Sequence, residues 1–263
     1  MKKITAYTTI ALASILLTAC LEQPKVKQEV TSHTEHTTTH KHWGYSADVG
    51  PSHWSMLNEK FHMCSDGKEQ SPINVVATED TELTPLSINY AQGSKSIINN
   101  GHTVQVNIKD GDTLIINGET YTLKQFHFHT PSENHINGKS FPLEAHFVHA
   151  TKDGKLTVIA VMFQEGTANP TLNKIIKTFP LEKNKETKLE FSKEYLDVVM
   201  PPKRDYYHFM GSLTTPPCSE QVNWFVLKQP QTASKEQIEA IHKEIGMDNN
   251  RPIQASNGRN IEK

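Results

Sequence analysis

The chain has 263 residues, of which 36% are hydrophobic, so it is long enough for one large domain or two small ones with a proper core. A formal net charge of −2 and a sequence pI near 6.7, with lysines scattered rather than clustered, argue against nucleic acid as a partner. The chain is rich in histidine, with 14 residues, and several of these lie in one polar segment near the N-terminus.

The first twenty residues have the pattern of a secretory signal. Lys2 and Lys3 precede an apolar run that is too short to span a membrane as a helix, which predicts a signal peptide over residues 1–19. Leu17-Thr18-Ala19-Cys20 resembles the bacterial lipobox, in which the cysteine is lipidated and becomes the first residue of the mature protein. We therefore predict an exported lipoprotein of the periplasm or cell envelope, anchored through Cys20, with the outer membrane as the expected site. An ordinary signal peptide with an incidental cysteine is the alternative.

The next segment, residues 20–41, is polar and rich in Thr, His, Lys and Glu, with no apolar periodicity. Such a segment cannot bury enough surface to fold, so we interpret it as a flexible tether with solvated histidines. We expect residues 42–263 to form a single domain. If Cys20 carries lipid, Cys64 and Cys218 remain as an even pair in an oxidising compartment, which favours one disulfide over two buried thiols.

Short segments with turns between them dominate residues 103–163. Alternating or continuous apolar patterns predict strands over Thr103–Lys109, Thr113–Ile116, Glu119–His129, Leu143–Ala150 and Leu156–Phe163. A turn at Lys109–Asp112 and the hairpin signal Asn117-Gly118 favour an antiparallel meander.

Helices are few. Asn169-Pro170 offers an N-cap followed by proline at the first helical position, and Ser234 with Gln237 forms a capping box before a second helix. One mainly β domain is the simplest prediction.

Three histidines fall on one face of two successive predicted strands. Because side chains alternate along a strand, His127 and His129 share a face, while Phe126 and Phe128 point to the other. His146 lies on the next strand, and opposed residues of an antiparallel pair are about 5 Å apart at Cβ, so a third imidazole can meet the first two.

Three imidazoles would give zinc three protein ligands and leave a fourth position open to water, as a catalytic site requires. Gln125 and Glu144 each lie two residues from one of these histidines on the same face, and we expect them to hold the second ring nitrogen. The alternative of buried or surface histidines without a metal is disfavoured by these matched partners.

These residues resemble the α-class carbonic anhydrases. The resemblance is carried, in the family's order, by His42–Tyr45, Gln70–Asn74, Asn100–His102, Gln125–His129, Ser132–Glu133, Glu144–His149, Gly211–Cys218, Trp224–Lys228 and Asn250–Gln254. It spans about Trp43 to Arg259 and implies a large, twisted, mostly antiparallel sheet with a few short peripheral helices. It also implies one catalytic Zn²⁺ and the reversible hydration of carbon dioxide to bicarbonate and a proton, through attack by a zinc-bound hydroxide.

The resemblance further implies a role for each matching residue. Zinc would be held by His127, His129 and His146, the hydroxide oriented by Glu133 and Thr214, and the proton relayed by His102. The water path would be lined by Tyr45, Asn100 and Gln105, and the substrate pocket by Val148, Leu213, Thr215, Ile159, Val222 and Trp224. Cys64 and Cys218 match the disulfide of the family's exported members.

The expected partners are a small-molecule substrate, carbon dioxide or bicarbonate, and the membrane lipid that anchors Cys20. We expect no nucleic acid, and a monomer or a weak dimer. A non-catalytic zinc-binding or ligand-binding lipoprotein on the same fold is the competing hypothesis.

Overall fold

The computed structural model describes residues 42–263. The predicted signal peptide, the lipidation site Cys20 and the tether at residues 20–41 lie outside the described residues. Within this part of the chain, no helix is long and apolar enough to cross a membrane.

The described residues form thirteen strands, five α-helices and three short 3-10 turns. The strands are β1 (Asn74–Val75), β2 (Ser87–Asn89), β3 (Ser94–Asn99), β4 (Val104–Ile108), β5 (Thr113–Ile116), β6 (Glu119–His129), β7 (His135–Ile136), β8 (Leu143–Ala150), β9 (Leu156–Glu165), β10 (Thr187–Lys188), β11 (Tyr206–Ser212), β12 (Glu220–Leu227) and β13 (Gln231–Ala233). The helices are α1 (Trp54–Leu57), α2 (Met63–Asp66), α3 (Pro170–Ile176), α4 (Lys193–Val199) and α5 (Lys235–Ile245), and the 3-10 turns are Ala47–Val49, Pro51–His53 and Glu59–Phe61.

Eleven of the strands form one sheet, with the order β10-β3-β4-β6-β8-β9-β12-β11 along its main path and β2, β5 and β13 beside it. Most neighbours are antiparallel, and β9 pairs in parallel with both β12 and β13. The prediction of a mainly β fold on a large, mostly antiparallel sheet with few short helices is confirmed.

Three of the five predicted strands, β5, β6 and β8, begin and end where the sequence pattern places them. The predicted meander is wrong at one point, because β5 does not fold back on β4. Both strands pair with β6, β4 through Gln105 opposite His127 and β5 through Thr113 opposite Thr122. The turn between β4 and β5 is held by the segment that precedes β3. The buried Asp112 carboxylate accepts three main-chain N–H groups of residues 91–93, at 2.6, 2.6 and 3.3 Å.

Both predicted helix starts are present. The Asn169 side chain accepts N–H groups of the first turn of α3, and Ser234 and Gln237 form the reciprocal capping box of α5. Each such N-cap stabilises the fold by about 1 kcal/mol. At its other end, α5 is capped by Gly246, whose φ of +84° suits glycine.

The sheet carries apolar side chains on both faces, so it has two cores. The larger core includes Phe126, Phe128 and Phe147, all fully buried. The smaller core lies on the opposite face and includes Val158 and Trp224. The three histidines project from the strands between these two layers, on the side of the smaller core.

Candidate metal centre

His127, His129 and His146 converge because β6 and β8 pair with His127 directly opposite His146. One ring nitrogen from each lies within 4.8 Å of the others. The ring centroids are 4.6 to 5.4 Å apart. The alternation of side chains, with phenylalanines pointing to the larger core, is what brings the imidazoles together.

The second nitrogen of each ring is held by an oxygen atom. His127 Nδ1 lies 2.9 Å from Gln125 Oε1, His129 Nδ1 lies 2.7 Å from the Asn249 carbonyl oxygen, and His146 Nε2 lies 2.8 Å from Glu144 Oε1. Amide, carbonyl and carboxylate oxygens accept hydrogen bonds, so the ring proton belongs on the held nitrogen. The lone pairs of His127 Nε2, His129 Nε2 and His146 Nδ1 are thereby left facing one another.

This donor set fits a zinc ion. His129 Nε2 is buried and has no hydrogen-bond partner among residues 42–263, although an unpaired buried nitrogen is costly. Burial lowers the pKa of all three histidines, most strongly for His127 and His146, which keeps the imidazoles neutral as metal ligands must be. Three imidazoles with each outer nitrogen held by an oxygen match the protein ligands of catalytic zinc sites, in which water takes the fourth position.

Glu144 holds more than His146. Its Oε2 accepts the main-chain N–H groups of Glu133 and Asn134 at 2.7 and 2.9 Å, and its Oε1 accepts the Asn134 side-chain amide at 2.8 Å. One fully buried carboxylate thus fixes both the His146 ring and the turn that carries Glu133.

Glu133 points into the centre from that turn. Its Oε1 accepts the Arg251 main-chain N–H at 2.8 Å, and its Oε2 lies 3.4 Å from His129 Nε2. Burial raises the pKa of Glu133 well above its usual range, while the Arg251 N–H and the Thr214 hydroxyl act in the opposite direction. The structure therefore brings Glu133 and Thr214 together beside the three histidines.

The apolar wall lies next to His146. The Trp224 ring is 4.9 Å from the His146 ring, edge to face, and Val222, Val148 and Leu213 pack in the same smaller core. These predicted pocket residues share one face with the histidines. Thr215, also predicted there, is half-buried in the turn closed by the hydrogen bond from Cys218 N to its carbonyl oxygen at 2.9 Å.

The assignment of Ile159 to this pocket is wrong. Ile159 pairs with Phe147 in β8 and lies fully buried in the larger core on the opposite face of the sheet. Its neighbour Val158 pairs with Val148 and Trp224 and belongs to the smaller core. The side-chain period of two makes a shift by one residue a change of face, so Val158 takes the place that the sequence analysis gave to Ile159.

His102 lies in the loop just before β4. Its ring stacks on Trp43 with the centroids 3.7 Å apart and lies 4.9 Å from the His42 ring. Burial against these rings, together with the charge of His42, lowers the pKa of His102 to about 4.

The three residues predicted along the water path, Tyr45, Asn100 and Gln105, each contact different partners. Tyr45 lies 6.5 Å from the His102 ring, and burial and the Glu133 charge raise the pKa of its hydroxyl. Gln105 stands opposite His127 across the β4–β6 pair, but its amide donates to Asn107 at 2.6 Å. The Asn100 side chain closes its own loop by accepting the N–H groups of residues 102 and 103.

Cys64 and Cys218 form the predicted disulfide, which joins positions 154 residues apart. The carbonyl oxygens of both cysteines are also held, that of Cys64 by the Arg251 guanidinium and that of Cys218 by the Gln70 amide. The guanidinium in turn donates to Gln70 Oε1 at 2.8 Å. Arg251 therefore serves both parts of the site: its guanidinium is tied to the disulfide next to the Thr214 loop, and its main-chain N–H holds Glu133.

Sequence reasoning missed two residues that hold the centre. Asn249 orients His129 and Arg251 holds Glu133, across separations of 120 and 118 residues. Arg251 lies in the motif Asn250–Gln254, and Asn249 directly precedes it. Nothing in the local sequence pattern indicates which atoms of this segment hold the site.

Comparison with known proteins agrees with this geometry. A profile of the family described as eukaryotic-type carbonic anhydrase matches residues 49–263. The carbonic anhydrase of Pectobacterium carotovorum is 49% identical over 220 residues, covering 84% of this chain and 90% of that protein. The carbonic anhydrase of Neisseria gonorrhoeae is 42% identical over 250 residues, covering 94% of each.

A solved structure is similar as well. The α-carbonic anhydrase of Thermovibrio ammonificans, in complex with the inhibitor sulfanilamide, superposes with a TM-score of 0.80 at 44% identity, covering 84% of this chain and 99% of that chain. The chain belongs to the eukaryotic-type, or α, carbonic anhydrase family, and it is an enzyme of that class.

Proposed function

We propose that this chain hydrates carbon dioxide reversibly to bicarbonate and a proton, with one Zn²⁺ held by His127, His129 and His146. The observation that carries the proposal is the convergence of three ring nitrogens with free lone pairs, within 4.8 Å of one another, beside an apolar wall. Bound zinc supplies a Lewis acid that lowers the pKa of its water to about 7, a value established on carbonic anhydrase itself.

Glu133 and Thr214 orient the attacking oxygen. Both are buried, and Glu133 is held by Arg251 N–H from one side and by Glu144 through its own main chain from another. In its ionised form the Glu133 carboxylate only accepts, so the Thr214 hydroxyl would donate to it and offer its own lone pair toward the centre. The contribution of the pair is geometry, since a fixed acceptor selects one orientation of the nucleophile.

The apolar wall binds the substrate. Carbon dioxide has no net dipole, and it gains little from polar partners. Val148 is half-buried and offers apolar surface beside the histidines, and the nearly fully buried Val158 and Trp224 pack behind it in the smaller core. A substrate held there lies beside the metal position without displacing the groups that orient the nucleophile.

His102 relays the proton to buffer. Each turnover releases one proton, and a nearby imidazole accepts it far more readily than bulk water does. In its stacked position on Trp43, the ring has a pKa of about 4 and is a weaker base than an exposed histidine. The contact with Trp43 therefore keeps the pKa of His102 below that of the group whose proton it accepts.

We also propose that the mature protein begins at Cys20, carries lipid there, and is held in the cell envelope by the tether of residues 20–41. The lipobox pattern before Cys20 supports this proposal. Membrane and soluble fractions of cells expressing Cys20→Ser and the unchanged protein test it. We expect the substituted protein in the soluble fraction, and retention in the membrane would contradict lipid attachment.

Zinc content and carbon dioxide hydration of the purified protein test the catalytic proposal together. We expect one zinc per chain and hydration well above the buffer rate, with both lost in His127→Ala. As the matched control, His53→Ala replaces a histidine in the short turn Pro51–His53, away from the centre, and is expected to change neither value. One bound zinc with no hydration would favour a non-catalytic binding protein.

A further inference from the structure

Asn249 bridges two neighbouring parts of the site, the loop that carries His102 and the end of β6. It lies in the segment that follows α5, and its side chain is fully buried. Its Nδ2 donates to the carbonyl oxygens of His102 at 3.0 Å and Phe128 at 2.9 Å, and its Oδ1 accepts the Thr130 N–H at 2.9 Å. Both donors and the acceptor of one amide are thus used between the His102 loop and the end of β6.

The loop that carries His102 is also tied to β6 one residue further on, because the Thr103 hydroxyl donates to the Phe128 carbonyl at 2.6 Å and accepts the Phe128 N–H at 3.2 Å. Asn100 Oδ1 accepts the N–H groups of His102 and Thr103, both at 3.0 Å, but these bonds close the loop on itself. Gly101 at its tip has a φ of +85° with open space around it. Of the contacts made by the His102 main chain within residues 42–263, the one to Asn249 reaches outside the loop.

The His102 ring is not held by hydrogen bonds either. Among the described residues it makes stacking contacts, with Trp43 at 3.7 Å and His42 at 4.9 Å between centroids. Stacked rings can slide at little cost, whereas a main chain fixed by a buried amide cannot. Thr103 fixes the C-terminal side of the loop to β6, and the bond from Asn249 to the His102 carbonyl fixes His102 itself from outside the loop.

We propose that the side chain of Asn249 is a positioning residue for proton transfer, which holds His102 at a set distance from the metal-binding end of β6. The inference rests on the proposed function, in which His102 relays the proton. Asn249 holds His129 through its main-chain carbonyl, which a substitution leaves in place. The two roles of this residue can therefore be separated by experiment.

Asn249→Asp keeps the size of the side chain and the acceptor for Thr130, but it loses both donors. In zinc-loaded protein at low buffer, we expect kcat for carbon dioxide hydration to fall about 3- to 10-fold, part of the 10²–10⁴ that a positioned proton relay contributes. Proton removal follows hydration, so kcat/KM should stay within about twofold. Added imidazole, a mobile proton acceptor, should restore kcat.

Two further variants separate positioning from charge and from general damage. Asn249→Ala removes both donors without adding a charge, and we expect the same loss of kcat. Asn257→Asp is the matched control, because Asn257 is exposed and its amide donates to the Lys68 carbonyl at 2.8 Å. This bond does not involve the loop that carries His102. It makes the same chemical change and should leave kcat unchanged.

A double-mutant cycle with His102→Ala is the decisive arm. If Asn249 acts through His102, adding Asn249→Asp to His102→Ala should lower kcat no further. An additional drop of the same size, or a loss of kcat/KM that imidazole does not restore, would overturn the inference.

A readout independent of turnover is amide hydrogen exchange in the metal-free protein. Exchange at Gly101, His102 and Thr103 should become faster in Asn249→Asp and stay unchanged in Asn257→Asp. Unchanged kcat and exchange in Asn249→Asp, in a protein whose kcat depends on His102, would overturn the positioning role alone. If His102→Ala leaves kcat unchanged, the relay itself is wrong and the inference falls with it.

Discussion

The two faces of strands β6 and β8 are built in different ways. On one face, Phe126 and Phe147 stack with their rings 4.9 Å apart in a fully buried core, where shape and apolarity are sufficient. On the other face, His127, His129 and His146 each need an oxygen at hydrogen-bond distance to aim a lone pair. Substitutions on the first face should change stability, and those on the second should change chemistry.

The oxygens that aim the histidines also differ in origin. Gln125 and Glu144 come from the same strands as the rings that they hold, two residues away. The acceptor for His129 comes from Asn249, 120 residues further along the chain. Two of the three oxygens that hold the histidines are therefore supplied by two adjacent strands, and the third requires the tertiary fold.

The largest expected effect comes from a pair of substitutions on neighbouring residues of β9. Ile159→Ala removes a fully buried side chain from the larger core, and we expect the free energy of unfolding to fall by about 2–5 kcal/mol. Its kcat/KM per folded molecule should not change, since Ile159 faces away from the centre.

Val158→Ala is the matched substitution on the metal face. It should cost less stability, about 1–3 kcal/mol, but lower kcat/KM for carbon dioxide hydration, because Val158 packs with Val148 and Trp224 in the apolar wall. Chemical denaturation and initial rates measure both quantities. A change in kcat/KM for Ile159→Ala and none for Val158→Ala would reverse the assignment of the two faces.

A smaller effect is expected for Glu144→Gln, which keeps the shape of the side chain. Each Glu144 oxygen accepts two hydrogen bonds, and a glutamine has only one oxygen, so two of the four bonds from His146, Glu133 and Asn134 become contacts between two donors. We expect zinc affinity to fall about 10–100-fold, as for other residues that support a metal ligand. Competition with a chelator of known affinity measures it.

Glu119→Gln is the control for this substitution. Glu119 lies on β6, at the end away from the histidines, and pairs with Lys155 at 2.7 Å on the surface. It should leave zinc affinity unchanged. Equal affinity in both variants would mean that the His146–Glu144 contact does not support the metal.

The last and most local effect concerns the pKa of His102, next to Trp43. Trp43→Ser removes the ring on which His102 stacks, so water reaches the imidazole and its charged form becomes less costly. The pKa of His102 should rise from about 4 toward the ordinary value near 6.5, measured by NMR titration of the ring. Tyr207→Ser, an aromatic substitution on β11, is the control. A pKa that stays near 4 would make His42 the main cause instead.

Much of the sheet could be predicted from local pattern. The bounds of β5, β6 and β8 follow from alternation, and the turn at Asn117-Gly118 is set by residues that favour positive φ. The run Leu156–Phe163 was harder, because a strand buried on both faces is apolar throughout and its pattern does not say which residue faces which layer. The misplacement of Ile159 has this cause.

The candidate site divides in the same way. Gln125 and Glu144 could be predicted because they share a strand face with the histidines. The contributions of Asn249 and Arg251 could not, since they use main-chain atoms of an irregular segment brought near by the whole fold. Main-chain donors and acceptors are present at every residue, and no residue type marks the ones that a site will use.

The late position of Asn249 and Arg251 has a consequence for the order in which the protein matures. A chain synthesised only through Gly246 already contains all three histidines, Glu133 and Thr214. It lacks the carbonyl that orients His129 and the N–H that holds Glu133. Until that segment has docked, the imidazole of His129 is not oriented, so we expect a chain that ends at Gly246 to bind zinc more weakly than the full chain.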